Sequence, residues 1–377
     1  MLNALTWICF ILIAYGYFGY PIFLSVLPTR RKNLKTVTPP TSYTIIIAAR
    51  NEESVIADRM ENVLAAEVPS GATVEYLVCS DASDDRTHEI VESFSSRGVK
   101  LVASPERKGK EFAQGLAVKA TNSEVLVFTD AKVKTEKEIL VNLAEYFSDP
   151  EIGGVSSFDI VEAPPGGGSG EGMYVKYEMW LRELESEFYS LVGLSGSCFA
   201  VRKEVAQHMR ADIPSDFALL IESIKQGKVG VLAPNVICTY KAVKTEEQEF
   251  NRKVRTVLRG ITTLFNAKEV FDFNRFGIFT WQIISHKLGR WLVPWFLIFG
   301  TLGAFKLAEF STWWSLVTLG LLVFYGCAIY AYLHPPAREK VYFKLPLFFM
   351  VTNAAILVAW IKYLSGSKSV TWTPSQR

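Results

Sequence analysis

Four stretches of this sequence are apolar over about the 20 residues that a helix needs to cross a bilayer. They decide where a domain in contact with water can lie. They run over residues 7–27, 291–308, 313–333 and 345–364, with few charges inside them. The first has no basic segment before it and no small-x-small site after it, so it reads as a retained anchor and not a cleaved leader. Arg30, Arg31, Lys32 and Lys35 follow it directly, and Arg338, Lys340 and Lys344 separate the third stretch from the fourth. The turn between the second and third carries only Glu309. Basic residues stay on the cytoplasmic side, so the pattern predicts four spans with the central region inside and both termini outside. Lys368 and Arg377 run against that rule. Residues 276–288 are expected along the membrane surface, ahead of Arg290 and Trp291.

The segment between the first and second stretches alternates. Residues 43–48, 74–79, 100–103 and 125–128 are short apolar runs rich in β-branched side chains, and 53–66, 86–96 and 111–119 have helical periodicity. Such alternation predicts an α/β domain with a mostly parallel, Rossmann-like sheet covered by helices on both faces. The loops after each strand then line one edge, where open α/β sheets place their ligands. These loops read Ala49-Arg50-Asn51-Glu52-Glu53, Ser80-Asp81-Ala82-Ser83-Asp84-Asp85, Glu106-Arg107-Lys108-Gly109-Lys110 and Asp130-Ala131-Lys132. Acids and bases thus converge on one rim, although Asp and Ser also serve as ordinary helix caps there. The expected organisation is an anchor and basic linker over 1–38, the α/β domain over 39–268, and an interfacial helix with three spans over 269–377.

Lys and Arg number 40 against 38 Asp and Glu, and no basic stripe with interleaved aromatics suggests nucleic acid as a partner. The five cysteines are scattered without metal-ligand spacing, which predicts free thiols. Pro164-Pro165-Gly166-Gly167-Gly168-Ser169-Gly170 predicts a flexible loop. Beyond it Tyr177, Leu181, Leu184, Phe188 and Leu191 mark an amphipathic helix. Pro214-Ser215-Asp216 opens a helix over 217–226 that Gly227 ends, with Asp212 nearby. Arg252, Arg255 and Arg259 share one helical face.

Seven short motifs, in order, carry a resemblance: Ala49-Arg50-Asn51-Glu52, Ser80-Asp81-Ala82-Ser83, Arg107-x-Gly109-Lys110, Phe128-Thr129-Asp130, Ser195-Gly196-Ser197, Pro214-Ser215-Asp216-Phe217 and Arg252-Lys253-Val254-Arg255. On these the chain resembles a membrane-bound family-2 glycosyltransferase of the GT-A fold, related to hyaluronan, chitin and cellulose synthases. The resemblance implies inverting transfer of a sugar from a nucleotide-sugar, a UDP-sugar first, to a saccharide acceptor in cell-envelope or capsule glycan synthesis. It implies Ala49, Asn51, Glu52, Asp81, Arg107, Lys110, Asp130, Lys132, Arg252, Lys253 and Arg255 around the donor, with Asp81 on the base. Ser195 and Gly196 fall on the acceptor side. Asp216 is the implied general base, a role worth roughly 10²–10⁴-fold.

Three departures qualify this. Lys132 stands where the second acid of the family's Asp-x-Asp motif binds a divalent cation, leaving Asp130 as the single candidate ligand for Mg or Mn. Thr256 replaces a tryptophan of processive relatives, and Lys241 replaces an acid. Either Lys132 and the arginine face neutralise the leaving diphosphate, or the chain is a transfer-impaired partner in a polysaccharide-export assembly. A polyprenyl-phosphate acceptor is the third possibility. The implied partners are the donor, a saccharide or lipid-linked acceptor and membrane lipid, at a bacterial inner membrane with the α/β domain cytoplasmic.

Overall fold

The computed structural model describes residues 1–29, 35, 37–162, 170–242 and 245–367. Arg30, Arg31, Lys32, Lys368, Arg377 and the expected loop 164–169 lie outside the described residues. The chain divides into two compact units. One comprises 1–26, 245–261 and 280–368, and the other 27–244, 262–279 and 369–377.

In the second unit the four predicted runs form β1 (Ser42–Ala49), β2 (Thr73–Ser80), β3 (Val99–Ala103) and β4 (Val125–Asp130). β5 (Lys134–Thr135), β6 (Ile152–Glu162), β7 (Cys198–Arg202) and β8 (Val229–Lys241) extend them into a single sheet of order β3-β2-β1-β4-β7-β6-β8-β5. β1 pairs in parallel with β2 and β4, and β2 with β3, as right-handed crossovers require. β7 then runs antiparallel between β4 and β6, and β8 returns parallel to β6. This is the mostly parallel, mixed sheet that the alternation predicts.

Alternate residues of each strand feed opposite faces. Ile45, Ile47, Val125 and Val127 pack with Ile56, Met60 and Val63 of the helix Ile56–Leu64 and with Leu140 and Leu143 of the helix Ile139–Phe147. Ile46, Ala48, Leu126 and Phe128 pack with Ala113 and Ala117 of the helix Lys110–Lys119 and with Leu219 and Leu220 of the helix Ser215–Lys225. Phe128 stacks on Phe199 at 5.0 Å. Two faces each filled by helices leave the strand ends as the place where polar groups can gather.

Among the described residues four helices, lying almost wholly in the other unit, are long and apolar enough to cross a membrane: Leu2–Val26, Ile278–Ala308, Thr312–Leu333 and Val341–Leu364. Their outward Leu316, Leu319, Leu322 and Val323 are exposed, as lipid-facing residues would be. Gly300 and Gly303 let the second of these helices approach the first. A Cβ on Gly303 would lie 2.2 Å from Thr6 Oγ1, the close packing that small residues permit. The second helix starts at Ile278, so the segment expected along the membrane surface is continuous with it, through a π-helical turn over Ile284–Leu288. The helix Glu246–Asn266 joins this unit through Ile261, because Val254 and Leu258 pack against Ala355 and Ala359. Cys79, Cys198 and Cys238 are buried free thiols, and Cys9 and Cys327 are free and half-buried.

Candidate active site

The loops after β1 and β2 are interlocked. Arg50 Nη1 donates to the carbonyls of Asp81 (2.5 Å) and Ala82 (2.7 Å). Asn51 donates from Nδ2 to Asp84 (2.5 Å) and accepts from the Asp84 N–H (3.0 Å). The backbone N–H groups of Glu52 and Glu53 donate to Thr87 Oγ1 and Asp85 Oδ2. Asn51 (φ 52°) and Ala82 (φ 51°) both sit in the left-handed region, a cost that persists only where surroundings over-determine it. Ala49 ends β1 fully buried and accepts from the Asp81 N–H.

Asp81 itself is fully buried. Its Oδ1 accepts from the backbone N–H groups of Lys108 (2.8 Å) and Gly109 (2.9 Å), so it fixes the loop after β3. Its Oδ2 has no partner among the described residues. A buried carboxylate oxygen left without a donor costs free energy, and a ligand N–H would relieve it. Arg107, in the same loop, is exposed.

Lys110 begins the helix after that loop and turns its ammonium onto Asp130 Oδ1 (2.5 Å), at the end of β4, and onto the Gly196 carbonyl (3.3 Å). Burial alone would push the Lys110 ammonium down, but the Asp130 carboxylate, helped by Glu111 and Asp216, holds it above its usual value. Lys132 pairs instead with the buried Glu52 at 3.2 Å. Burial pushes the Glu52 carboxyl up, against the pull of Lys132.

Gly196 lies between this pair and Asp216. A Cβ there would meet Asp216 Oδ2 at 3.4 Å, so glycine keeps the way to that carboxylate open. Asp216 lies in the first turn of its helix, and no side chain caps that end. An acid in that turn also suits the positive end of the helix dipole. Ser215 bonds Gln114 (2.8 Å), and Asp212 is exposed and bidentate to Arg210 (3.0 and 2.6 Å).

The Ser195-Gly196-Ser197 turn is held from beneath by a group that periodicity could not reveal. Asp159 on β6 accepts from Ser157 Oγ (2.7 Å), Ser195 Oγ (2.6 Å) and Ser197 Oγ (3.0 Å). Arg182 adds bonds to Ser156 Oγ (3.0 Å) and the Leu194 carbonyl (3.1 Å). The Ser197 carbonyl then accepts from the Asp130 N–H at 3.2 Å. Burial pushes the Asp159 carboxyl up, opposed by the serine hydroxyls and Arg182.

Residues 44–210 match the family model for glycosyl transferase family 2. These residues are a family-2 glycosyltransferase domain. Its fold is that of GT-A enzymes. A mannosyltransferase from Pyrobaculum calidifontis, solved with GDP-mannose and Mn²⁺, superposes with a TM-score of 0.72 at 21% identity, covering 98% of this chain and 100% of that one. A 4,4'-diaponeurosporenoate glycosyltransferase of Staphylococcus aureus is 35% identical over 124 residues, 30% of this chain and 32% of its own length. A beta-monoglucosyldiacylglycerol synthase of Trichormus variabilis is 25% identical over 114 residues, 29% of this chain and 24% of its own. The chain thus matches about a quarter to a third of the length of these curated relatives.

Ala49, Asn51, Glu52, Asp81, Lys110, Asp130, Lys132, Ser195 and Gly196 of this domain, with Asp216 just beyond the matched residues, gather at the predicted edge. Arg252, Lys253 and Arg255 belong to the helical unit. Arg252 forms a bidentate pair with Glu249 (2.7 and 2.8 Å), and Lys253 sits 4.3 Å above the Phe348 ring. Burial, then the charges of Arg259 and Arg252, hold the Arg255 guanidinium below its usual value.

The Mn²⁺ of the mannosyltransferase complex raises the question of a cation here. Asp130 already carries Lys110, and Lys132 occupies the place of a second acid. Among the described residues no three His, Cys, Asp or Glu side chains converge as a metal site. Asp130 and Glu52 are thus each already paired with an ammonium, which does not suit a divalent cation held by protein side chains.

Proposed function

We propose that the domain transfers a sugar with inversion from a nucleotide-sugar, a UDP-sugar first, to a hydroxyl of a saccharide or lipid-linked acceptor. The observation that carries this is Asp81: a fully buried carboxylate whose Oδ2 lacks a donor, on the same rim as Lys110, Asp130 and Asp216. A pyrimidine or purine N–H answers that vacancy. Asp216 takes the acceptor proton while the acceptor oxygen bonds the anomeric carbon. The bond from that carbon to the diphosphate oxygen breaks, and its electron pair leaves with the nucleotide. Lys110 and Lys132 lie beside the charge that then develops, where fixed cations act in the way an oxyanion hole does.

A lipid-borne acceptor is the reading favoured for the hydroxyl. Two relatives are named for glycosylating a carotenoid acid and a diacylglycerol, and the four candidate spans suit a chain that meets its acceptor in lipid. The basic residues after the first span support an inner membrane with the domain on the cytoplasmic side. Polysaccharide synthesis, with export proteins as partners, is the reading to which an aqueous product would return.

Nucleotide release from a panel of UDP- and GDP-sugars, with membrane lipid present and with and without EDTA, tests these assignments. Turnover that survives chelation supports the lysine arrangement, and turnover restored by Mn²⁺ alone overturns it. Bound nucleotide without turnover from any donor would make the chain a transfer-impaired partner. Radiolabel that partitions into organic solvent identifies the lipid acceptor.

A further inference from the structure

Arg59 lies on the helix Ile56–Leu64 and is 3% exposed. Its Nη2 donates to Thr129 Oγ1 (3.0 Å), and its Nη1 to Thr135 Oγ1 (3.3 Å) and to Asn62 Oδ1. All three acceptors are neutral, and no carboxylate pairs with Arg59 among the described residues. Its Nε is buried without a partner. A buried guanidinium lacking a counter-charge is costly, and burial holds it below its usual value.

The side chain lines a cavity of about 190 Å³. With Lys132 given to Glu52, the walls still present three cations, Arg59, Lys134 and Lys241, against two carboxylates, Asp58 and Glu162. The cavity is smaller than the about 300–1,000 Å³ of pockets that take drug-sized ligands, so a whole nucleotide is too large for it. It shares Lys132 with the donor edge, but its guanidinium approaches from the other face of the sheet. Thr129 and Asp130 are successive strand residues and point to opposite faces. Lys110 meets Asp130 from one face, and Arg59 meets Thr129 from the other.

We propose that this cavity is a second anion site, which takes a phosphate-class oxyanion on Arg59 with Lys134 and Lys241. The anion supplies the missing counter-charge and the acceptor for Arg59 Nε. Because Ala131, Lys132 and Val133 form part of the wall, the bound anion also braces the segment that carries Lys132 to Glu52. The site would act on donor binding from behind the sheet.

The test is thermal unfolding of the full chain in detergent, titrated with inorganic phosphate or with glucose 1-phosphate against chloride at matched ionic strength. The expected result is a saturable rise in Tm that persists in Lys110→Ala. The Lys134→Gln/Lys241→Gln double variant, exposed at both positions and so expected to fold, should weaken the apparent affinity by at least about fivefold. Arg59→Gln should abolish the rise. A response to inorganic phosphate alone names the free ion as ligand, and an equal or stronger response to glucose 1-phosphate names a phosphomonoester. No saturable rise in the wild type, or a rise unchanged in the double lysine variant, overturns the site. A rise lost in Lys110→Ala assigns the anion to the donor edge and overturns it equally. Loss of nucleotide binding leaves this result untouched, so the two readings fail separately.

Discussion

Lys110 Nζ lies 2.5 Å from Asp130 Oδ1, and the pair is joined from the far side by the Gly196 carbonyl. A lysine at a helix N-terminus opposes the helix dipole, so the position is favourable only with an acid or an anionic ligand against it. Replacing Lys110 with methionine should lower kcat by about 10²–10³-fold, the scale of losing one fixed donor at a developing oxyanion. Steady-state kinetics with saturating donor checks this, and EDTA should change neither protein.

Asp216→Asn should lower kcat by roughly 10²–10⁴-fold with little change in nucleotide affinity, because the proton acceptor is lost and the base contact is not. Nucleotide release, measured alongside equilibrium binding of the nucleotide, separates the two. Equal loss of binding would move Asp216 out of the general-base role.

Asp81→Asn keeps Oδ1 for the Lys108 and Gly109 N–H groups but puts an NH₂ where Oδ2 was. Two donors then face each other when a base N–H approaches. The nucleotide Kd should rise by roughly tenfold or more, the cost of about 1–3 kcal/mol for an unsatisfied buried group. Isothermal titration calorimetry with UDP and GDP measures it and shows which base the site prefers.

Asp159 predicts a pH dependence with a definite sign. Its folded pKa is raised by burial, so the stability it contributes is fully present below the unfolded value of about 3.9. That contribution is lost as pH rises through the folded pKa. The Tm of the wild type relative to Asp159→Asn should therefore fall as pH increases from about 4. The variant should also lower kcat, since the turn carrying Gly196 is held by that carboxylate.

In the helical unit, Gly303→Val would drive a side chain into Thr6, whose Oγ1 is 2.2 Å from the Cβ position. Overpacking of this kind costs about 1–3 kcal/mol. A lower Tm in detergent, recovered by Thr6→Gly in the same chain, is the expected outcome.

The strands that are continuous apolar runs, β1 to β4, were readable because both of their faces are buried. β6 was not, since it is built around Gly153, Gly154, Ser156 and Ser157, small residues buried by tertiary packing and bonds and not by periodicity. The same cause hid Asp159, two of whose three serine partners, Ser195 and Ser197, come from a distant turn. Arg59 was invisible for another reason: one arginine in an amphipathic helix reads as solvated. Asp81, Lys110 and Asp130 could be picked out because their loops follow strands, and Asp216 because its motif stands in family order. Their mutual distances depended on β7, which no short motif announces.

The interlocked loops after β1 and β2 bear on how this domain can change. Arg50, Asn51, Glu52 and Glu53 are each tied to a partner between Asp81 and Thr87, and each loop contains one left-handed residue, Asn51 and Ala82. On the proposed assignment of Asp81 to the nucleobase, altering one of these loops alone leaves the other holding it in place, so drift toward a different donor passes through paired substitutions.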